Sequence, residues 1–459
     1  MFARLAPIAA LIAGILLSAQ MPGPAGWPPG VFLGRGAIDA PASAGSAMTT
    51  PILSGQSASA PSNSGSTQTF YSLITGNGTS NSGGGGNREL PIAISGTLSN
   101  FSANFTTTLT QGSYTVAVSV NGSTTSTPVC SITTSVATCS DASHPVSISP
   151  SNTVGIVTTP SGTPTSSTNT AWGATFVSTN NNESFLAGGA NVPSTSAQNW
   201  ASIQGWSSWD ATSDAIASNV MPAAGTIDQF YVVGSAAPGA GKTYTLTVYQ
   251  KGSYTAINCT LSGAGTGAGI TTCNDLTDSI TVAQGDTISV SSCPGTMSAG
   301  TCSPVATPAS DVIRWGVRWK PTTAGQSLLL VSDAGTPPGT TATNYIFLNG
   351  AVVVTAVTEA NATVLSPTFS GGFSIASMYV ALSAAPTTGT RSVTLMNPSG
   401  TPSAAMTCAL SLAATSNCST ATAVTSIGAS SATLLDWKNI SAAATATTSY
   451  KIGAVMTVP

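Results

Sequence analysis

From Phe70 onward the sequence repeats itself three times, over approximately residues 70–182, 183–325 and 326–459, so the chain must fold as homologous units in tandem. Each unit opens on a short apolar segment followed by glycine: Tyr71 to Gly76, Ser184 to Gly189 and Leu328 to Gly335. Units two and three then share Asn199 to Gly205 and Asn344 to Gly350. A second shared block is Gly96 to Phe101, Gly225 to Phe230 and Gly371 to Met378. Next comes an alternating segment with a turn, Tyr114 to Gly122 and Tyr244 to Gly252, with a weaker third copy at Ser392 to Gly400. The first cysteine of each unit follows that glycine by seven or eight residues, at Cys130, Cys259 and Cys408. Each unit closes on a strand marked by glycine: Ala171 to Phe176, Arg314 to Trp319 and Lys451 to Met456.

No unit contains a sustained apolar i, i+3, i+4, i+7 pattern. Short alternating runs rich in Val, Ile, Thr, Tyr and Trp, broken by Gly, Asn and Pro, predict strands and hairpins. Units of this length with many short strands predict an all-β chain of three tandem antiparallel jelly-roll or β-sandwich domains. Alternation puts Tyr244, Leu246 and Val248 on an inner face and Thr245 and Thr247 outside. The outer surface is then rich in hydroxyls and almost without charge. Charge ordinarily guards sheet edges against mutual pairing, so the edges are expected to be covered by neighbours or protected by loops.

Eight cysteines fall into four neighbouring pairs: Cys130/Cys139, Cys259/Cys273, Cys293/Cys302 and Cys408/Cys418. Members of each pair are nine to fourteen residues apart, whereas zinc ligands sit two to four residues apart within a pair. Local disulfides in an oxidising compartment fit this spacing better; reduced, buried thiols are the alternative, and sequence alone does not fix connectivity. Closing such short loops contributes about 2–3 kcal/mol each in the chain-entropy picture. Three of the pairs occupy corresponding positions and are expected to staple the same hairpin in each unit. Cys293/Cys302 is an additional clamp on a loop found only in the second.

Residues 1–20 carry one positive side chain, Arg4, before the apolar run Leu5 to Leu17. That run is too short to span a bilayer. It has the form of a signal peptide, although Ser18 to Met21 matches a cleavage site poorly, and a retained apolar anchor fits equally. Residues 21–69 are rich in Pro, Gly, Ala and Ser without a period of 2 or 3.6, and predict an extended arm.

Only 11 Lys or Arg and 14 Asp or Glu occur among 459 residues, with one histidine and a net charge of −3. A chain without a basic field is a poor match for nucleic acid or an anionic membrane. Catalytic and metal sites require several titratable groups to converge, and this inventory predicts no catalytic residues, no metal and no cofactor. Ala236 to Thr243 imitates a phosphate-binding loop, but Tyr244 to Val248 continues as a strand where a helix would be needed, so it predicts a hairpin turn. Gly263 to Gly269 is read as a loop, and His144 as a solvated loop residue near Asp141. Asp210 and Asp214 offer fewer oxygens than a calcium loop demands. Trp206, Trp209 and Trp315 are the candidates for stacking on a glycan, with aromatic packing as the default. The sequons at Asn77, Asn121 and Asn361 are expected by chance in a chain this rich in Ser and Thr.

The second unit carries Met221 to Phe230, then Ala237 to Val248, Thr272 to Asp275, Val282 to Val290 with its Gly285-Asp286 turn, and Ile313 to Gly316. In these residues it resembles the compact TNF/C1q-like jelly-roll domains of exosporium surface proteins and of structural proteins of tailed bacteriophages. The first unit departs with Pro150 to Asn152 at that turn, and the third matches loosely. The resemblance implies a non-enzymatic virion surface structural protein: a fibre, spike, or head or neck decoration. Residues 1–69 would dock on other virion structural proteins (capsid, neck or tail), and the jelly rolls would project outward. It also implies threefold association, as a homo-oligomer or as an intrachain pseudo-trimer, with a host-surface glycan as a further partner. The alternatives are a secreted bacterial surface or adhesive-filament subunit and a carbohydrate-binding module.

Overall fold

The computed structural model describes residues 49–56, 69–77, 88–105, 108–164, 170–180, 182–210, 213–263, 271–305, 308–309, 311–332, 343–346, 373–383, 385, 389–396, 402–411, 416–420, 424–427, 436–442 and 450–457. The proposed anchor, most of the proposed arm and the turn at Pro398 to Gly400 lie outside them. Among the described residues the architecture is all-β, with a single helical turn at Asp214–Ala217.

Each repeat builds two sheets. In the second repeat one sheet runs in the order Gly205–Ser207, Ser184–Ala190, Ile313–Pro321, Gly225–Gly234, Thr272–Val282. The other runs Asn199–Ser202, Thr287–Cys293, Thr243–Gln250, Ser253–Ser262, with Asn219–Val220 also on Thr287–Cys293. The first repeat has the same order: Gly76–Asn77, Thr49–Gln56, Thr170–Ser178, Gly96–Phe105, Thr138–Asp141 against Phe70–Leu73, Thr153–Ser161, Ser113–Val120, Ser123–Ile132. In the third, Gln326–Ser332, Tyr450–Thr457, Phe373–Leu382 and Asn417–Thr420 form one sheet; Thr343–Ile346, Asp436–Ala442, Thr390–Met396 and Pro402–Ser411 form the other.

Alternation packs the sheets of each repeat together. Tyr244, Leu246 and Val248 from one sheet share a core with Trp315, Val317 and Trp319 from the other. Leu98, Phe101 and Trp172 likewise meet Tyr114, Val116 and Ile156 in the first repeat. The indole N–H of Trp172 donates to Leu73 O (2.9 Å) and that of Trp315 to Ile203 O (3.0 Å), so a buried ring is satisfied by backbone at matching places.

Two sequence expectations are corrected. Residues 49–56, assigned to the arm, form a strand paired along its length with Thr170–Ser178, as Ser184–Ala190 pairs with Ile313–Pro321. The first repeat therefore starts at Thr49, and Tyr71 to Gly76 is not its opening strand. Phe70–Leu73 sits in the opposite sheet on Thr153–Ser161, the place of Asn199–Ser202 on Thr287–Cys293. Thr245 and Thr247, expected outside, are buried. Thr245 Oγ1 donates to Gly295 O at 2.7 Å, beneath the hairpin Gly295–Ser298/Thr301–Pro304 that only the second repeat shows among the described residues.

The cysteines are bonded 130–139, 259–273, 293–302 and 408–418. Three of these do not staple one hairpin. Cys130 and Cys139 lie on terminal strands of the two opposed sheets, as do Cys259 and Cys273, and Cys408 and Cys418. Each bond closes the open side of a sandwich where both sheets end. Cys293–Cys302 ties the extra hairpin to Thr287–Cys293.

The closing strands also join one repeat to the next. A Cβ on Gly316 would lie 2.0 Å from Pro91 O of the first repeat, and one on Gly453 2.5 Å from Val220 O of the second. Pro91 and Val220 hold the same register position, each beside the last strand of its own second sheet. Glycine is required at 316 and 453 because a neighbouring backbone fills the space of a side chain.

A chain starting at Ser46 is expected to retain the first repeat. One starting at Phe70 exposes the bonding edge of Thr170–Ser178 and should be cleaved by protease between residues 96 and 178, where the longer chain resists. Replacing Cys259 and Cys273 together by serine should cost about 2–3 kcal/mol of second-repeat stability, read as denaturant-dependent loss of Trp fluorescence.

Candidate functional site

The densest polar chemistry lies where repeats meet. Glu89, 1% exposed, accepts from the Gly122 N–H at 2.8 Å, from Thr153 Oγ1 at 2.6 Å and from the Ser119 hydroxyl. Asn121 and Gly122 form a tight turn with φ of 52° and 76°, matched by Lys251 and Gly252 at 52° and 73°. In the second repeat Asp214 fills the role of Glu89, accepting from the Gly252 N–H and the Ser289 hydroxyl. A carboxylate thus locks the same hairpin turn in both repeats.

A cation of the following repeat closes over each arrangement. Arg314 Nη1 donates to Glu89 O at 2.9 Å, and Lys451 Nζ donates to the Ser218 hydroxyl. Burial pulls the Arg314 guanidinium down to about 10, opposed by the charges of Glu89 and Asp311. Burial pushes the Asp214 carboxyl up, opposed by the Ser289 hydrogen bond, the Lys451 charge and the Gly252 N–H. A cavity of about 420 Å³ opens between these repeats, lined by Asp214, Lys251, Thr287, Ser383 and Lys451.

A second network sits on the outward side of the Ile313–Pro321 sheet. Arg318 grips Asp228 with Nε at 2.7 Å and Nη2 at 2.9 Å, and reaches Glu183 at 3.3 Å. Lys320 joins Asp228 at 2.9 Å. Burial pushes the Asp228 carboxyl up, but hydrogen bonds and charge from Arg318 and Lys320 outweigh it and hold the group below the usual carboxylate range.

The remaining aspartates serve turns. Asp141 and Asp275, each two residues beyond the second cysteine of a pair, accept backbone N–H groups of Val129 (3.0 Å) and Asn258 (3.1 Å). Asp286 accepts from the Ala283 N–H and pairs with Lys251 at 2.6 Å, which accounts for the Gly285-Asp286 turn. Each of the three is pushed up by burial and pulled further down by these bonds. The ring of His144 is largely exposed, with Nδ1 2.8 Å from Asp141 Oδ1.

Two of the three glycan-stacking candidates, Trp209 and Trp315, pack against each other. Trp315 is fully buried, with no face open to a sugar. Trp209 is half-buried, lies 5.5 Å from the Trp315 ring and donates its indole N–H to Asn191 O. The side chain of Trp206 lies outside the described residues. Lys242 N donates to Gly239 O at 3.0 Å and Thr243 starts a strand, so the glycine-lysine segment is a turn without a helix behind it. Residues 264–270 lie outside the description. Asp210 Oδ1 accepts from the Ser213 N–H while Asp214 faces Ser289, so the two carboxylates serve different partners. Among the described residues no group of three or more His, Cys, Asp or Glu is placed to hold a metal ion.

These arrangements hold turns and seams in place. No protein-family model matches the chain, and no curated protein is significantly similar to it. The four disulfides fit an oxidising, extracellular setting, and no described helix is long and apolar enough to cross a membrane.

Asp228 has a folded pKa below its unfolded value, so its stabilisation is present above the ordinary carboxylate range and lost as pH falls through the depressed folded value. Asp228→Asn is expected to cost about 1–2 kcal/mol at neutral pH and to flatten the acid side of the stability profile, as followed by thermal unfolding from pH 7 downward. An unchanged profile would contradict the assignment.

Proposed function

We propose that this chain is a non-enzymatic structural protein of a virion surface, a fibre, spike or decoration that docks through its N-terminal arm and projects its sandwiches outward. The observation that carries this reading is the clamping of all three sandwiches across their open sides by disulfides. A surface with few charges has little electrostatic protection against edge pairing and no cellular repair once released. Covalent closure of each open side supplies persistence outside a cell. The buried carboxylates Glu89 and Asp214 act in the same direction, since both are spent on backbone turns.

The resemblance of the second repeat to jelly-roll domains of phage structural and exosporium proteins supports the particle setting. A secreted bacterial surface or filament subunit would share the same stapled build and differ in how residues 1–20 are used. A glycan-binding role is less well supported, because Trp315 is closed and Trp209 packs against it.

Peptide-mapping mass spectrometry of density-purified particles, beside particle-free medium, separates these readings. Enrichment in particles, with an N-terminal peptide containing Phe2 and Ala3, is the expected result. Recovery only from medium or cell surfaces, beginning after Gln20, would replace the virion reading with a secreted bacterial protein.

A further inference from the structure

Asparagine is among the thermolabile residues, and it is least durable where glycine follows it. The glycine nitrogen gives up its proton and attacks Cγ of the asparagine side chain. The bond from Cγ to the side-chain nitrogen then breaks, ammonia leaves, and a five-membered succinimide remains. Water opens either ring C–N bond, giving aspartate or an isoaspartyl residue whose backbone is one carbon longer. Glycine permits the attack because it has no Cβ to hinder it. The chain carries three such pairs, beginning at Asn77, Asn121 and Asn349, and of these Asn121–Gly122 lies whole within the described residues.

Asn121 and Gly122 are both exposed, so burial gives the pair no shelter from water. Both reacting groups are nevertheless held. Thr153 N donates to Asn121 Oδ1 at 2.9 Å, and Asn121 N donates to Thr153 O at 2.8 Å. The first of these bonds draws electrons from the side-chain carbonyl and favours attack on Cγ, so any restraint must act on the attacking nitrogen. That nitrogen is committed elsewhere, because Gly122 N–H donates to the Glu89 carboxylate at 2.8 Å. Glu89 is 1% exposed and is fixed in turn by the Ser119 hydroxyl and by Thr153 Oγ1 at 2.6 Å. A negative charge set against an N–H favours the protonated form. Releasing the nitrogen would also strip a buried carboxylate of a charge-assisted hydrogen bond.

We propose that Glu89 is a chemical guard: by holding the Gly122 N–H it keeps Asn121 from cyclising, so that a site of self-modification stays silent in the folded first repeat. The turn at Lys251 and Gly252 carries the same lock under Asp214, but Lys251 offers no side-chain amide to attack. The lock therefore acquires a chemical task in the first repeat. An isoaspartyl residue at 121 would lengthen the tight turn between Ser113–Val120 and Ser123–Ile132 and draw Gly122 away from Glu89. Arg314 of the second repeat donates to the Glu89 backbone carbonyl at 2.9 Å, so the durability of this turn depends on the seam as well. The guard acts whether or not the chain belongs to a virion.

The test follows Asn121 in the full chain at mildly alkaline pH, folded and in denaturant. Mass spectrometry of the peptide spanning residue 121 reads the replacement of the side-chain nitrogen by oxygen and the appearance of isoaspartate. Conversion in the folded chain is expected to be roughly 30-fold slower than in the denatured chain, the factor that one hydrogen bond to a charged group implies. Glu89→Gln, which matches the shape and removes the charge, is expected to return most of that factor while the first repeat still resists protease. Should Glu89→Gln fail to fold, hydrogen–deuterium exchange of the unaltered chain decides: the exposed Gly122 N–H is expected to exchange far more slowly than in a short peptide of the same turn. Equal conversion in folded and denatured chains, a folded Glu89→Gln as slow as the unaltered chain, or a Gly122 N–H that exchanges as freely as in the peptide would each overturn the proposal.

Discussion

The close approach of one backbone to another at Gly316 and Gly453 is the constraint on which the arrangement of repeats depends. A carbonyl oxygen of one repeat occupies the volume that any other side chain would take on the closing strand of the next. Because both approaches use matching residues, Pro91 and Val220, they fix the second repeat against the first and the third against the second in the same way. The sandwich cores then extend beyond their own sheets: Phe185 and Ala187 join the first core, and Leu328, Leu330 and Val455 join the second. Stacking adds apolar burial to the core that each sandwich already has.

Polar groups follow from that packing. The turns at Asn121–Gly122 and Lys251–Gly252 are themselves exposed; a carboxylate buried beneath each takes the turn N–H, and a cation of the next repeat covers it. The first seam uses Glu89 with Arg314, the second Asp214 with Lys451. With only 25 charged residues in the chain, a large share of the charge is spent inside, on seams and on the Arg318–Asp228–Lys320 network. The surface is left to hydroxyls, and the open sides of the sandwiches are held by sulfur.

The strand character and the cysteine pairs were legible because each is a local pattern repeated at fixed order. The closing-strand glycine was visible as well, although its reason was not, since the atom that demands it comes from another repeat. The strand Thr49–Gln56 was hidden in a Pro, Gly and Ser-rich stretch where alternation gives no signal, and Tyr71 to Gly76 offered a more apolar substitute. Thr245 and Thr247 read as outward-facing because a hydroxyl under an inserted hairpin has the same sequence signature as one in water. Glu89 and Asp214 were missed as a pair because a helical turn follows Asp214, so the two carboxylates stand at different distances from the strands Gly96–Phe105 and Gly225–Gly234. Trp315 looked available as an aromatic because a strand alone does not tell which of its faces is covered.

The seams are built from residues that differ, and a tandem chain alone permits this. Where identical subunits associate, one mutation appears simultaneously at every contact and must be tolerated at all of them. Here Arg314 meets a backbone carbonyl, Lys451 meets a hydroxyl, and the corresponding place in the first repeat is Ala171. Each junction is free to drift, specialise or weaken without dragging its sibling along, because the two are encoded by separate stretches of one chain.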